Sequence, residues 1–308
     1  MDSYLKFSDP VSDATTNGAP IVALESTVIA HGLPIDAALA TAASMSQVIS
    51  AEGAVPAMIG LLDGSIKIGL NDAEIERLAT TDNVLKVSRR DFAYALATRQ
   101  DGATTVAGTM MAASLANIPI MATGGIGGVH RGAENTMDIS ADLQELGTTN
   151  VAVVCTGAKA ILDLPKTLEY LETMGVAVIG VGTNEFPAFF VGSSGLPVAH
   201  RLDAPKDIAK FLYTHNRLQI LGGVLIANLP PADFALPEDD AETVISKAIQ
   251  KAQSAAIHGH AVTPYLLDEI ATDTDGRSID ANRALLIANA RLAAKIARAL
   301  STMTNTQA

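Results

Sequence analysis

Lys159 has the clearest potential for covalent chemistry in this sequence. It follows the apolar residues 151–155, a pattern typical of a buried strand, and the small residues Gly157 and Ala158. We expect Lys159 in the first turn of a helix, where burial and the helix dipole would lower the pKa of its amine. A neutral amine can attack a carbonyl carbon and form a Schiff base. A lysine that only extends along the surface is the alternative, and Lys166 is a solvated candidate.

Glu25 is the second candidate for catalysis. It closes the apolar run in "IVALEST", so we expect it to be buried or half-buried. Burial raises the pKa of a carboxyl group and allows it to act as a general acid near neutral pH. A helix N-cap or a hydrogen bond within the core is the alternative interpretation.

Two segments are suited to binding a phosphate group. The run "KVSRRD" places Lys86, Arg89 and Arg90 within five residues, and phosphate recognition needs such a cluster of cations. Thr105, in "GATTVAGTM", precedes a predicted helix whose first backbone amides can also bind an anion. The alternative for the basic run is a solvated helix start held by salt bridges.

Carboxylates in "ENTMDISADLQEL" could hold a divalent cation. Asp138 and Asp142, together with waters, offer the oxygen ligands that Mg²⁺ and Mn²⁺ prefer. Capping of the following helix is the simpler explanation of both aspartates, and their spacing does not exclude it. Among the histidines, His130 is placed suggestively within a glycine-rich loop, and His31, beside Gly32, is a weaker candidate.

Common nucleotide-binding motifs are absent from the sequence. In "GGIGGVHRGA" the pattern G-x-G-x-x-G fails, because counting from Gly125 and Gly127 places His130 at the last position. No glycine loop leads into Gly-Lys-Ser or Gly-Lys-Thr. The loop can still form a nest of backbone amides for an anion, with Arg131 adding charge.

Composition narrows the class of protein further. The net charge of −12 over 308 residues argues against general affinity for nucleic acid. A single cysteine, Cys155, excludes an internal disulfide and is expected in the core. No apolar run approaches the roughly 20 residues that span a membrane, and the N-terminus is polar. We therefore expect a cytoplasmic protein without membrane contact.

The order of elements predicts an α/β fold with a central, mostly parallel sheet. Apolar runs such as "IVALES", "VAVVCTGA" and "GGVLIANL" alternate with longer alanine-rich segments, including a predicted helix over residues 36–51. Two predicted helices, residues 240–257 and 279–300, close the chain. We expect a mobile N-terminal arm over residues 1–19, a single domain over residues 20–301, and a tail over residues 302–308.

Several long motifs resemble the pseudouridine-5'-phosphate glycosidase family, also called the indigoidine synthase A-like family. The resemblance extends from about residue 20 to about residue 300. It rests on the motifs "VALESTVIAHGLP", "KVSRRD", "GATTVAGTM", "ATGGIGGVHRGAENTMDISADLQEL", "VVCTGAKAILDL", "TLEYLETMGV" and "PAFF".

The resemblance implies a fold, an activity and a set of site residues. It implies a three-layer α/β/α homotrimer that uses Mn²⁺ or another divalent cation and reversibly joins uracil and ribose 5-phosphate through a carbon-carbon bond. Lys159 would be the nucleophile, forming a lysine imine, and Glu25 the proton donor. Asp138 would anchor the metal. The substrate contacts would be Lys86, Thr105, Val106, Ser140, Ala141 and Asp142, with His130 and Asn289 also in the pocket.

Two other functions fit the same residues less completely. A lysine-dependent sugar-phosphate aldolase would share the amine and the phosphate site, but it would release an aldehyde and a ketone and would ignore uracil. A trimeric nucleotide-binding module would bind a ligand without cleaving a bond.

Overall fold

The computed structural model describes residues 4–255, Ile257 and residues 262–305. Its strands, in chain order, are β1 (Leu5–Phe7), β2 (Ile21–Leu24), β3 (Val55–Leu62), β4 (Ser65–Ile68), β5 (Leu85–Val87), β6 (Gly102–Thr104), β7 (Ile120–Ala122), β8 (Ala152–Cys155), β9 (Ala177–Val181), β10 (His200–Leu202) and β11 (Val224–Asn228). Its helices are α1 (Asp9–Asn17), α2 (Thr27–His31), α3 (Ile35–Ala51), α4 (Asp72–Thr80), α5 (Phe92–Thr98), α6 (Val106–Leu115), α7 (Ala133–Thr136), α8 (Ala141–Thr148), α9 (Leu164–Thr173), α10 (Pro205–Arg217), α11 (Glu238–Ser254), α12 (Val262–Asp273) and α13 (Arg277–Asn305). Short 3₁₀ helices cover Arg89–Asp91 and Ala232–Phe234.

The central sheet is parallel, as the alternation of strands and helices predicts. Strands β3, β2, β7, β8, β11, β9 and β10 lie side by side in this order, and each neighbouring pair among them is parallel. Among the strands of the described residues, the antiparallel pairs are those that the second half of β3 forms with β4 and β6. The carboxyl ends of the parallel strands therefore meet at one edge, where α/β proteins bind their ligands.

Helices cover the sheet in two groups, which confirms the predicted α/β/α layers. Strands β2, β7 and β8 are buried along their whole length, as continuous apolar runs predict. Helices α3, α10 and α13 pack together, and α13 lies against these three strands. Helices α6, α8 and α9 form the other group, in which α6 contacts β2 and β7.

The N-terminal segment differs from the expected mobile arm. Strand β1 pairs in parallel with β4 and extends the sheet, and α1 buries Val11 and Ala14. The left-handed Gly18, at φ 65°, ends this helix. The sequence pattern is misleading because the strand is three residues long and only two apolar side chains of α1 are buried. Regular structure therefore begins before residue 20.

The bounds of α3 match the prediction closely, whereas those of the C-terminal helices α11 and α13 differ from it. Helix α3 agrees with the predicted helix over residues 36–51 to within one residue. Helix α11 begins two residues earlier than predicted, and the predicted end of this helix includes Ala256, which lies outside the described residues. Helix α13 continues into the predicted tail as far as Asn305. Within the described part of the chain, no helix is both long and apolar enough to cross a membrane.

Candidate active site

A cavity of about 740 Å³ opens at the carboxyl ends of the parallel strands. Loops and helix starts that follow β2, β5, β6, β7 and β8 contribute its walls, and α12 contributes Thr263. The sequence-predicted residues that line it are Glu25, Lys86, Arg89, Arg90, Thr105, Val106, His130, Asp138, Ser140, Ala141, Asp142 and Lys159. Segments distant in sequence thus converge because parallel strands end at the same edge.

Lys159 lies in this cavity, but it is not in a helix. After β8 the chain turns at Gly157, whose φ of 70° places it in the left-handed region, and α9 starts only at Leu164. The expectation that a helix dipole acts on Lys159 is therefore wrong. Pro165 explains the position of the helix start, since proline favours the first turn.

The glycine-rich loop fixes the backbone around Lys159. The amide of Lys159 donates to the carbonyl of Ile126 at 3.0 Å, and the amide of Ile126 donates to the carbonyl of Gly157 at 3.0 Å. A Cβ at Gly157 would lie 1.9 Å from the carbonyl oxygen of Pro187. Only glycine fits this position without displacing the chain, so the turn that presents Lys159 depends on it.

Lys166, the alternative nucleophile, is placed differently. Its Nζ lies 2.9 Å from Glu134 and 3.0 Å from Asp163, in an exposed cluster of charges. These ion pairs raise the pKa of the Lys166 amine. It is not among the residues that line the cavity, so of these two lysines Lys159 is the one placed to react with a bound ligand.

Glu25 is buried next to the cavity, with 8% of its surface exposed. Leu24 of β2 pairs with Ala122 of β7, so the next residues, Glu25 and Thr123, are neighbours across the two strands. The Thr123 hydroxyl donates a short hydrogen bond to Oε1 of Glu25. Helix α2 starts after Glu25 with Ser26 as its N-cap, which removes the capping interpretation for Glu25.

Burial raises the pKa of the Glu25 carboxyl, as its position at the end of an apolar run predicts. The positive charge of Lys159 and the hydrogen bond from Thr123 oppose this rise. Burial thus favours the protonated form of the Glu25 carboxyl, and the Lys159 amine is close enough to influence its pKa. Such a group is suited to donate a proton during a reaction at the adjacent amine.

Lys86 and His130 complete the charged cluster around the cavity. Burial lowers the pKa of the Lys86 amine, and the charge of Lys159 lowers it further. Burial also lowers the pKa of His130, against the opposing influence of Asp138. The Nδ1 atom of His130 lies 3.8 Å from Oδ2 of Asp138. These mutual influences indicate that the side chains share one electrostatic environment.

Two helix N-termini face the cavity, and Asp142 links them to the glycine loop. Its carboxylate accepts hydrogen bonds from the amide of Ala107 at 2.9 Å and from the amide of Gly127 at 2.8 Å. Thr105 caps α6 and Ser140 caps α8. Because Ser140 is the cap, the alternative that Asp138 caps this helix does not hold. The converging N-termini are suited to binding an anion.

Asn289 does not line the cavity, contrary to the position that the resemblance implies. It is fully buried on α13. Its Nδ2 donates to the carbonyl of Thr123 and to the hydroxyl of Thr156, both at 2.9 Å, and its Oδ1 accepts from Asn228 at 3.0 Å. Asn289 thus joins the ends of three strands beneath the site.

Asn282 is also buried and lies nearer the N-terminal end of the same helix face. It lies seven residues before Asn289, which is about two helical turns, and it lines a side chamber of about 50 Å³ beside Glu25 and Lys159. The spacing between Asn282 and Asn289 is the sequence signal that could have identified Asn282 as a residue near the site. Other lining residues that sequence reasoning missed are Thr27, Thr123, Gln144, Leu162, Phe189, Tyr170 and Thr263.

Asp138 supplies the accessible carboxylate that a divalent cation could use at this cavity. Asp138 has 38% of its side chain exposed, whereas both oxygens of Asp142 bind backbone amides. Among the described residues, no group of three or more His, Cys, Asp or Glu side chains could hold a metal ion. A cation here would depend mainly on water and on a bound ligand, which suits Mg²⁺ or Mn²⁺ better than metals that need several protein ligands.

Comparison with known proteins finds relatives that match nearly the whole chain. The family described as "Indigoidine synthase A like protein" matches residues 10–299. A relative from Geobacillus kaustophilus, named pseudouridine-5'-phosphate glycosidase, is 53% identical over 98% of this chain and 100% of its own. A relative from Solibacter usitatus with the same name is 55% identical over 96% of this chain and 98% of its own.

Two solved structures share the fold. The prealnumycin C-glycosynthase AlnA, in complex with ribulose 5-phosphate, has a TM-score of 0.92 at 39% identity and covers 99% of this chain and 100% of its own. An indigoidine synthase A (IdgA)-like protein from Thermotoga maritima has a TM-score of 0.88 at 32% identity, covering 96% of each chain. The chain belongs to the indigoidine synthase A-like protein family.

Proposed function

We propose that this protein is a pseudouridine-5'-phosphate glycosidase, which reversibly cleaves pseudouridine 5'-phosphate to uracil and ribose 5-phosphate. The observation that carries the proposal is that Lys159 and the buried carboxyl of Glu25 line one cavity. The names of relatives that are 53% and 55% identical support the choice of substrate.

The glycosidic bond of this substrate joins two carbons, which excludes the usual glycosidase strategy. Ordinary glycosidases protonate a leaving oxygen and use a pair of carboxylates. Here the leaving group is a carbon of uracil, so the uracil ring must accept the electrons of the bond while another group stabilises C1'. An amine that forms an iminium with the sugar can release the base in this way, because its nitrogen supplies the electrons that stabilise C1'.

The first half of the reaction opens the sugar ring. The Glu25 carboxyl donates a proton to the ring oxygen, and the bond between C1' and this oxygen breaks. The amine of Lys159 then forms a bond to C1' and loses a proton. A carboxyl with a raised pKa is suited to this step because it keeps its proton to a higher pH than an ordinary glutamate does.

The second half of the reaction releases uracil. A proton added to C5 of uracil turns the ring into an electron acceptor. The bond between C5 and C1' breaks, its electrons remain with the uracil ring, and the nitrogen lone pair of Lys159 forms the imine to C1'. Water then adds to C1', the bond to Lys159 breaks, and ribose 5-phosphate is released.

The proposal includes a divalent cation, Mn²⁺ or another, held by Asp138 and water. Such a cation neutralises the charge of a bound phosphate. Its support is the exposed carboxylate of Asp138 at the cavity. We expect an excess of chelator to slow turnover, and full activity under these conditions would contradict this part of the proposal.

The family resemblance also supports a homotrimer located in the cytoplasm. Light scattering coupled to size-exclusion chromatography would give the mass of the assembly, for comparison with three chains of 31.8 kDa. Fractionation of cells would test the location.

The direct test of the function is product formation. Pseudouridine 5'-phosphate and Mn²⁺ are incubated with the protein, and uracil and ribose 5-phosphate are followed by chromatography. We expect both products to form in equal amounts, and the reverse mixture to yield pseudouridine 5'-phosphate. If no uracil is released and the reverse mixture yields no pseudouridine 5'-phosphate, the glycosidase is refuted and the aldolase, whose products are an aldehyde and a ketone, becomes the next candidate.

A further inference from the structure

Arg89 is held at the cavity by a buried carboxylate. Its Nε donates to Oε2 of Glu145 at 2.7 Å, and its Nη2 donates to Oε1 at 2.5 Å. The same Nη2 donates to the hydroxyl of Thr149 at 3.1 Å. That hydroxyl in turn donates to the Glu145 carboxylate. The guanidinium is thus fixed in position from the side of α8.

Glu145 is placed to hold Arg89 and not to contact a ligand. Its side chain has 3% of its surface exposed, and it is absent from the residues that line the cavity. A buried carboxylate is costly unless it is paired and hydrogen-bonded. Its partners, Arg89 and Thr149, provide this compensation. The arrangement therefore stabilises one orientation of the Arg89 side chain.

One end of the Arg89 guanidinium is available to a ligand. The side chain has 54% of its surface exposed and lines the cavity together with Ser88 and Ala141. Within the described part of the chain, no hydrogen bond reaches Nη1. A guanidinium stays charged at physiological pH and matches the geometry of phosphate oxygens.

The other cations near the cavity are placed for different roles. Lys86 is partly buried, and its surroundings include Lys159, Asp142 and Glu25, so it belongs to the reacting end. Arg90 has 88% of its side chain exposed, and its Nε lies 3.4 Å from Asp91. Among these three cations, Arg89 therefore combines a fixed orientation with a free donor group.

We propose that Arg89 binds the phosphate group of the substrate through Nη1, and that Glu145 is the positioning residue that holds Arg89 there. The pair would make the enzyme select a phosphorylated sugar over the free sugar. The N-termini of α6 and α8, at Val106 and Ala141, add backbone donors in the same cavity. This inference rests on the proposed function for the identity of the sugar phosphate.

The test measures binding separately from turnover. Affinities for ribose 5-phosphate and for ribose are measured by calorimetry in a Lys159→Ala background, which prevents a covalent contribution. Arg89→Lys keeps the positive charge but loses the guanidinium group, which makes two hydrogen bonds to Glu145. Glu145→Gln removes the charged partner of Arg89. Thr149→Val keeps the ion pair and serves if Glu145→Gln fails to fold. Arg77→Lys is the matched control, because Arg77 also donates from Nε and Nη2 to one carboxylate, that of Asp101.

We expect Arg89→Lys and Glu145→Gln each to weaken ribose 5-phosphate binding by about tenfold to a hundredfold, the range for hydrogen bonds to charged groups. Ribose affinity stays unchanged, and Arg77→Lys changes neither. With Lys159 intact, KM for pseudouridine 5'-phosphate rises while kcat changes by less than about threefold.

Two results separate this inference from the proposed function. If the folded variants bind ribose 5-phosphate as the parent does, the role of Arg89 is refuted even when uracil is released normally. If the protein releases no uracil but the variants lose affinity for ribose 5-phosphate alone, the phosphate site stands and the proposed function fails.

Discussion

At the scale of single residues, the chemistry depends on a carboxyl group under opposing influences. Burial favours the protonated form of Glu25, whereas the charge of Lys159 and the Thr123 hydrogen bond favour the ionised form. The rise in pKa shows that burial has the larger effect. The protein therefore maintains a carboxyl group whose ionisation reduces the stability of the fold.

This balance predicts a pH-dependent effect of Glu25→Gln. Because the pKa of Glu25 in the folded state is raised above its ordinary value of 4.5, the folded protein binds more protons than the unfolded protein above about that pH. The free energy of unfolding of the wild type should therefore fall as pH rises from 4.5 through the raised pKa. The variant has no such group, so its Tm relative to the wild type should increase over this interval while activity is lost.

Thermal melts at a series of pH values would check the prediction. Glu76→Gln, on the exposed face of α4, is the control and should show a constant difference. A difference for Glu25→Gln that stays constant or decreases with pH would contradict the account of a carboxyl kept protonated by burial.

Residue types, motif order and the family resemblance together name most of the described residues that line the cavity, because the motifs that follow parallel strands must converge. They do not show whether Asn289 or Asn282 lines the site, because both asparagines lie on one face of α13. Which of the two reaches the cavity depends on where the helix crosses the strand ends. That position is set by tertiary packing and has no local signal in the sequence.

At the scale of elements, the turn after β8 determines the position of Lys159. Gly157 has φ 70° and a Cβ there would clash with the Pro187 carbonyl. Gly182, after β9, has a similar φ of 67°, but no atom lies within 4 Å of the position that a Cβ would occupy there. The two glycines share a backbone conformation and differ in the space around them.

We expect Gly157→Ala to be far more damaging than Gly182→Ala. Left-handed geometry costs a residue with a side chain about 1–2 kcal/mol, and this is the whole expected loss for Gly182→Ala. Gly157→Ala adds a backbone clash, which would displace Lys159 and lower kcat. Chemical denaturation and uracil release would measure both effects. Equal losses of stability, with kcat unaffected by Gly157→Ala, would contradict this role of the turn.

The predicted elements fail where strands are short. Strands β1, β5 and β6 have three residues each, too few for a pattern of alternation to be recognised. Lys159 also illustrates a limit of local reasoning. Small residues after a strand suggest a helix start, but the hydrogen bonds between residues 156–159 and the glycine loop prevent a helix from starting here.

At the scale of the whole molecule, the N-terminal segment is part of the fold. Strand β1 covers the edge strand β4, and Val11 of α1 is fully buried. The absence of a Cβ at Gly69 makes room for this segment, because a Cβ there would lie 2.8 Å from Val11. Sequence patterning missed this docking because α1 has a low density of apolar residues.

Paired substitutions on α1 test whether this segment is docked. Val11→Asp should lower the free energy of unfolding by about 1.5–3 kcal/mol, the contribution of a buried valine, because the carboxylate forces the helix away from the sheet. Thr16→Asp, on the exposed face of the same helix, should have little effect. Denaturant unfolding would measure both, and equal stabilities of the two variants would indicate a mobile arm.

The central claim, that Lys159 forms a covalent bond with the sugar, can be tested most directly by reductive trapping. The protein is incubated with ribose 5-phosphate and sodium borohydride, digested, and its peptides are analysed by mass spectrometry. We predict a reduced ribose 5-phosphate adduct on Lys159, and no adduct at another lysine in Lys159→Ala. An adduct on Lys86 or Lys166 instead, or uracil release undiminished in Lys159→Ala, would contradict the claim.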